Sequence, residues 1–391
     1  MSDQAKGIAT TLIQVGAGDR LLRTRTVAPP LQRGSTLLMP DAASLYASQN
    51  PTYGMNALGV HEALVEGLKA LERAAHVELF TSGLSAVTGA IMAVVKTGDD
   101  LLAVDSVYGP TRRFCDGYLA RMGVRTRYFP AHATAEEIMS LAGERTRLIF
   151  LESPGSLTFE MQDIPAIAAA ANARGILTAV DNTWASGLYF RPVEHGVSLS
   201  IQALTKYVCG HSDVFLGSVA TSDPAVGRAL ADFVKDTGAS VSPDDAFQGL
   251  RGLRTLEVRL NHHGASGLKV AEWLTTQPEV SRVMHPALPD DPGHALWRRD
   301  FTGAAGLFGV VLKSAAVAAV HAFLDRLRLF GLGFSWGGYE SLAIHCDPQI
   351  KRTAVPWRAE GPLIRLNIGL EDPDDLIADL RAGLDALNVG A

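Results

Sequence analysis

The sequence predicts an α/β fold in which a large, doubly wound, mostly parallel sheet domain is followed by a smaller α/β domain and preceded by an N-terminal arm. Three observations carry that expectation. Between residues 57 and 249, short apolar runs of strand type alternate with stretches of helical period, the pattern of a sheet covered by helices on both faces. Beyond residue 250 the alternation gives way to a helical stretch and a proline-rich turn region, so a second unit is expected over 250–391. At 391 residues, 47% of them hydrophobic, the chain also exceeds what one ordinary core requires.

Taken in order, the arm is expected over 1–56. Its first fifty positions show no sustained period and carry paired prolines, Pro29 and Pro30, which reads as extended chain lying across another surface. In the large domain, helices are expected at 61–73, from Leu84 onward, at 110–122 and at 164–174. Strands are expected at 76–80, 101–105, 148–152, 176–181, 199–203 and 216–221. A helical stretch with breaks, 244–277, leads into H-P-A-L-P-D-D-P-G-H at 285–294, which cannot continue a helix. The glycine-rich run from Gly303 lacks the G-x-G-x-x-G order and reads as a turn entering a strand. The run L-I-R-L-N-I at 363–368 is an apolar strand interrupted by one charge, Arg365.

A net charge of −6 and a pI near 6.0 offer no basic face for nucleic acid, and no apolar run is long enough to span a bilayer. The start, M-S-D-Q-A-K-G, lacks the apolar core of a signal peptide, and Cys115, Cys209 and Cys346 are too scattered for a disulfide or metal framework. His262 and His263 are adjacent and point to different sides of a helix, and no H-E-x-x-H or paired-cysteine spacing occurs, so no metal site is expected. A cytoplasmic protein with no nucleic-acid or membrane partner is the resulting expectation.

The candidate chemistry is concentrated at predicted strand ends. Lys206 follows the apolar run 199–204 and Thr205, and is flanked by Leu204, Tyr207, Val208 and Cys209. Enclosed by such neighbours an amine loses hydration, which favours its neutral form and makes it a nucleophile toward aldehydes. The plain alternative is a solvated surface lysine. G-I-L-T-A-V-D-N-T-W at 175–184 is a buried strand ending on Asp181, where an open parallel sheet places ligand-binding residues. Taken alone, Asp181 reads equally as an N-cap or as half of a structural ion pair. A carboxylate and an amine at one sheet edge match a protonated ring nitrogen and an aldehyde on a single ring, as in pyridoxal 5′-phosphate. For the phosphate, T-S-G-L-S-A-V-T-G-A at 81–90 offers Gly83 and Leu84 at the start of a helix whose free amides can face an anion, and Thr205 offers a hydroxyl. The same T-S-G also caps helices that bind nothing. In the second unit Arg365 needs an anionic partner, either a substrate carboxylate or Glu340 or Glu371, and the S-W-G-G turn from Ser335 lets backbone and hydroxyl approach a ligand.

These stretches run in order over nearly the whole chain, together with I-F-L-E-S-P-G-S from Ile149, R-G-L-R-T-L-E-V-R-L from Arg251, F-T-G-A-A-G-L-F from Phe301, S-W-G-G-Y-E-S-L from Ser335 and L-I-R-L-N-I-G-L-E-D from Leu363. They resemble the Cys/Met metabolism family of pyridoxal phosphate enzymes, of fold type I. Gly155 and Trp336 resemble its bacterial cystathionine beta-lyase branch, whereas gamma-acting members usually carry Asn and Leu at those turns. The resemblance implies that Lys206 holds the cofactor's aldehyde and acts in catalysis with Tyr108. It implies that Asp181, Gly83, Leu84, Thr205, Tyr108 and, from a neighbouring subunit, Tyr53 hold the cofactor. Arg365, Ser335, Trp336 and Tyr108 are implied to hold an amino-acid thioether substrate.

The implied reaction is loss of a β-thiolate, which with cystathionine gives homocysteine, pyruvate and ammonia, in a dimer or a dimer-of-dimers tetramer. A gamma-acting enzyme, a β-lyase for cystine or other cysteine S-conjugates, and a non-catalytic assembly subunit stay open beside it. The sequence departs from the family after Tyr53, where Y-x-R is usual and this chain reads Y-G-M-N. Met55 and Asn56 bring no charge, so Arg112 or Arg113 is a candidate source of a cation for substrate or phosphate. Phe334 stands where members of that branch often have tyrosine, which removes a hydroxyl from the distal pocket.

Overall fold

Seven strands form the larger sheet in the computed structural model, which describes residues 7–15, 26–47, 51–313 and 315–387. They are β1 (His76–Phe80), β2 (Asp100–Val104), β3 (Arg125–Phe129), β4 (Thr146–Glu152), β5 (Leu177–Asp181), β6 (Leu199–Gln202) and β7 (Gly217–Thr221). Their order is β1-β7-β6-β5-β4-β2-β3, and only the pairs made by β7 are antiparallel. Every residue of β2, β6 and β7 is buried, as strands covered on both faces must be. Chain order runs one way from β4 to β6 and the other way from β2 to β3, so the loops after β2 and β4 diverge and leave a crevice at the carboxyl ends.

The second sheet contains β8 (Val280–Met284), β9 (Leu307–Leu312), β10 (Gly331–Leu332), β11 (Leu342–His345) and β12 (Leu363–Asn367), in the order β10-β11-β12-β9-β8. Val320 and Phe323 of helix Val317–Arg326, and Leu376, Leu380 and Leu384 of helix Pro373–Leu387, join Phe308, Ala343 and Leu366 of this sheet in a core of their own. The expected stretch 244–277 is two helices, Pro243–Leu253 and Leu256–Thr275, broken at Arg254 and Thr255. From the second, Arg259 donates to the carbonyls of Tyr207 (2.6 Å), Val208 (3.1 Å) and Gly252 (2.7 Å), which fixes the loop that follows Lys206. Gly210 in that loop has φ 70°, and a side chain there would collide with the Arg259 guanidinium.

Three expectations need correction. The arm is not extended throughout: Ile8–Gln14 is helical, because the four- and then three-residue spacing of Ile8, Leu12 and Val15 puts them on one face and lets Leu12 and Val15 bury. The arm's residues 1–6, 16–25 and 48–50 lie outside the described residues. The helix expected at 110–122 is an α-helix over Gly109–Phe114 that widens into a π-helical turn over Cys115–Leu119. Strand β3 escapes a reading by apolar runs because it is an edge strand, R-T-R-Y-F, with Arg125 exposed. No described helix is long and apolar enough to cross a membrane.

Candidate active site

A cavity of about 470 Å³ opens at the carboxyl ends of β4 and β5, and its lining also includes the loop after β6, the turn at Ser335 and Arg365 of β12. The parallel register of β4 and β5 ends on Glu152 opposite Asp181, so two carboxyl groups stand side by side on its floor. Asp181 accepts from the Thr183 amide (3.1 Å) and hydroxyl (2.6 Å), both through Oδ1, and the Thr183 hydroxyl accepts in turn from the Ala203 amide (2.9 Å). Burial raises the Asp181 carboxyl above its usual range, against the pull of Thr183 and Lys206. Glu152 accepts from the Tyr108 amide at 2.7 Å and is raised well above the usual range, first by burial and then by the neighbouring Asp181. The sequence reading passes over Glu152, although it ends its strand just as Asp181 ends the next; that shared position is the signal.

Lys206 lies in the turn after β6, half-buried, with its Nζ donating to the Ser335 hydroxyl (2.7 Å) and 5.2 Å from the centre of the Trp336 ring. Burial brings its pKa down to about 8, helped by the like charge of Arg365 and opposed by Asp181. Arg365 is buried in β12; its guanidinium donates to the Ser335 carbonyl at 2.8 Å, while its Nε has no partner among the described residues. A buried guanidinium with an unfilled donor is a carboxylate site in waiting. Glu340 and Glu371, the structural alternatives, are occupied elsewhere: Glu340 accepts from the Ser212 hydroxyl, and Glu371 from the Ser341 amide and hydroxyl (both 2.8 Å). Asn367 holds the turn itself, accepting from the Gly337 amide (3.0 Å) and donating to the Glu340 carbonyl (2.9 Å).

Helix Gly83–Met92 points its start at the cavity. Ser82 caps it by accepting from the Ser85 amide (3.1 Å), which leaves the Gly83 and Leu84 amides beyond the reach of the helical ladder, and both residues line the cavity. A side chain at position 83 would run into Ala203. Thr205 also lines the cavity, but its hydroxyl is exchanged with the Leu216 backbone, donating at 3.1 Å and accepting at 2.9 Å. Tyr108 is 43% exposed and lines the cavity beside Glu152. Burial and the two carboxyl groups raise its phenol pKa.

Other expected residues are not brought to this cavity. Tyr53 is exposed on the arm, bridged to Thr36. Asn56 donates to the Ala239 carbonyl (2.9 Å) and accepts from the Val241 amide (2.7 Å), a structural role. Arg112 is not a spare cation: it is buried, paired with Asp105, bonded to the Thr353 hydroxyl (3.2 Å) and stacked 3.6 Å over Tyr128. Arg113 is exposed one residue further on. No group of side chains suited to a metal ion occurs among the described residues.

The donor set fits pyridoxal 5′-phosphate: a partly neutral amine, a buried carboxyl with one oxygen uncommitted, and helix-start amides approached over a glycine. The profile of the Cys/Met metabolism PLP-dependent enzymes matches residues 9–385. The chain is 47% identical over 388 residues to a putative cystathionine beta-lyase of Rhizobium johnstonii, covering 98% of this chain and 97% of that one. It is 40% identical over 390 residues to the cystathionine beta-lyase MetC of Escherichia coli, covering 97% and 98%. Among solved structures it is similar to metB from Corynebacterium glutamicum, with a TM-score of 0.91 and 28% identity over 99% of this chain and 100% of that one. Sequence, architecture and the chemistry of the cavity thus agree from one end of the chain to the other, and the protein belongs to the Cys/Met metabolism family of PLP-dependent enzymes, of fold type I.

Proposed function

We propose that this chain is a carbon–sulfur β-lyase for amino-acid thioethers, with L-cystathionine as substrate and homocysteine, pyruvate and ammonia as products. The observation that carries the reading is the Ser335 turn, whose hydroxyl touches the Lys206 amine and whose carbonyl touches the Arg365 guanidinium. A substrate carboxylate on Arg365 therefore brings its α-carbon next to the amine. The similarity to proteins named cystathionine beta-lyase supports the choice of substrate.

In this reading Lys206 would hold the aldehyde of pyridoxal 5′-phosphate, Asp181 its ring nitrogen, the Gly83 and Leu84 amides its phosphate, and Tyr108 would lie against its ring, while the Thr205 hydroxyl stays with the Leu216 backbone. The bound cofactor supplies an electron sink that acidifies the substrate's Cα–H bond. Freed when the substrate's amino group takes its place, the Lys206 amine, with its pKa brought down to about 8, takes that proton. The Cβ–S bond then breaks with its electron pair leaving on sulfur, the ammonium of Lys206 returns a proton to the thiolate, and the three-carbon enamine acid left behind takes up water to give pyruvate and ammonia. Ser335 aims the amine in both steps. The chain divides as arm (1–56), large domain (57–249) and small domain (250–391); it self-associates as a dimer or dimer of dimers in the cytoplasm, with Tyr53 crossing to the neighbouring subunit.

Incubation of the purified holoenzyme with L-cystathionine, with both keto acids quantified, tests the reading. Pyruvate is the expected product; predominance of 2-oxobutyrate would replace it with a gamma-acting enzyme.

A further inference from the structure

One carboxylate next to the site is spent on holding chain. Asp105, buried directly after β2, is paired with Arg112 and accepts from the amides of Thr353 (2.8 Å), Ala354 (2.7 Å) and Val355 (3.4 Å) and from the Thr353 hydroxyl (3.1 Å). Arg352 adds a bond to the Asp105 carbonyl (3.0 Å) and another to the Thr158 hydroxyl. The Ser156 amide donates to the Ser106 carbonyl at 2.9 Å. Three segments are thereby tied together: the loop leading to Tyr108, the turn around Ser156, and residues 352–355 from between β11 and β12.

Three residues before the tied segment, at the cavity, stands Gln349. It closes the short turn Asp347–Gln349, whose other end is also fixed, because Asp347 accepts from the Leu363 amide (3.2 Å) and from His345 (2.9 Å). Gln349 lines the cavity, is exposed, and its carboxamide has no partner among the described residues. It shares the exposed side of the lining with Phe215 and Phe334, whereas Asp181, Glu152 and Arg365 lie inside. With the substrate's carboxylate held inside, the second arm of the thioether has to leave toward this rim. Aromatic rings there suit a short alkyl chain, and a carboxamide, being both donor and acceptor, suits an arm that ends in ammonium, carboxylate or both.

We propose that Gln349 is a specificity-determining residue for the leaving-group arm, and that Asp105 is the positioning residue that places it. The substrate class follows: cysteine thioethers whose second arm is a short alkyl chain with a hydrogen-bonding end. The proposal rests on the β-elimination reading and refines it.

The test compares L-cystathionine with S-ethyl-L-cysteine, which presents the same scissile bond without a polar end. For Gln349→Leu the ratio of kcat/KM between the two substrates should fall about tenfold, through KM of cystathionine. The double variant Asp105→Asn/Arg112→Gln removes both charges, so that neither is left buried and unpaired; it should lower the same ratio while keeping the visible absorption of bound cofactor. An unchanged ratio in Gln349→Leu overturns the specificity role. A double variant that loses both substrates and cofactor together, with the ratio intact, reduces Asp105 to a structural residue and overturns its half. If the wild type forms no pyruvate, the lyase reading falls, and the same ratio measured as dissociation constants of the two compounds still decides the role of Gln349.

Discussion

Ser335 holds a left-handed backbone conformation, φ 77°, although it carries a side chain. Such a residue costs free energy and persists where its surroundings impose it. Here both polar ends of Ser335 are committed, the hydroxyl to Lys206 and the carbonyl to Arg365. The residues legible in the sequence were those whose charge interrupts an apolar run, Lys206, Asp181 and Arg365, because burial without a purpose would be costly. Arg112 misleads for the opposite reason: its anion, Asp105, lies before the helix start, and only the folded loop brings the two together. At this scale Arg365→Met should raise KM for cystathionine about 10–100-fold, the equivalent of a lost charge-assisted pair of hydrogen bonds, with a smaller change in kcat. Steady-state kinetics check it, and an unchanged KM would mean that the carboxylate is held elsewhere.

Elements are held to one another by another buried acid. Glu72 ends helix Gly59–Glu72 and accepts from Ser200 (3.0 Å) and Gln202 of β6, the strand that leads to Lys206. Burial raises its pKa to about 7, outweighing those bonds and the attraction of Arg191. The native state therefore keeps a proton that the unfolded chain releases above its ordinary value of 4.5. The stabilisation is complete below that value and is lost as pH rises toward and through about 7. Glu72→Gln should flatten this decline and be the more stable protein at pH 8, by on the order of 3 kcal/mol. Urea unfolding of both proteins at pH 5 and pH 8 measures it; parallel pH profiles would rule out Glu72 as the cause. The strands on either side of this contact were readable as buried apolar runs, but β3 was not, since as an edge strand it carries two arginines, Arg125 exposed and Arg127 half-buried.

At the scale of the whole molecule, the arm is where this chain departs most from the pattern it resembles. Asn56 is committed to the 239–241 backbone and Tyr53 stands exposed, so positions 53–56 offer an aromatic hydroxyl and no charge to any surface they meet. If the arm crosses to a neighbouring subunit's phosphate, Met55→Arg should restore a charge-assisted contact and slow cofactor loss on dialysis about tenfold. Absorbance of retained cofactor, followed alongside sedimentation, checks it. Equal retention in wild type and variant would show that position 55 does not reach the phosphate.

Sequence by itself determined the alternating architecture and singled out the candidate reactive groups, because hydrophobic periodicity and the cost of burying a charge are properties of a few consecutive residues. Tertiary structure decided which groups meet. Glu152 stands beside Asp181 only through the register of two strands, Lys206 and Arg365 share Ser335 only because two sheets close on one cavity, and the loop in which Asp105 neutralises Arg112 is held by residues from the far end of the chain. Distances of that kind depend on contacts between residues far apart along the chain, and no local pattern encodes them.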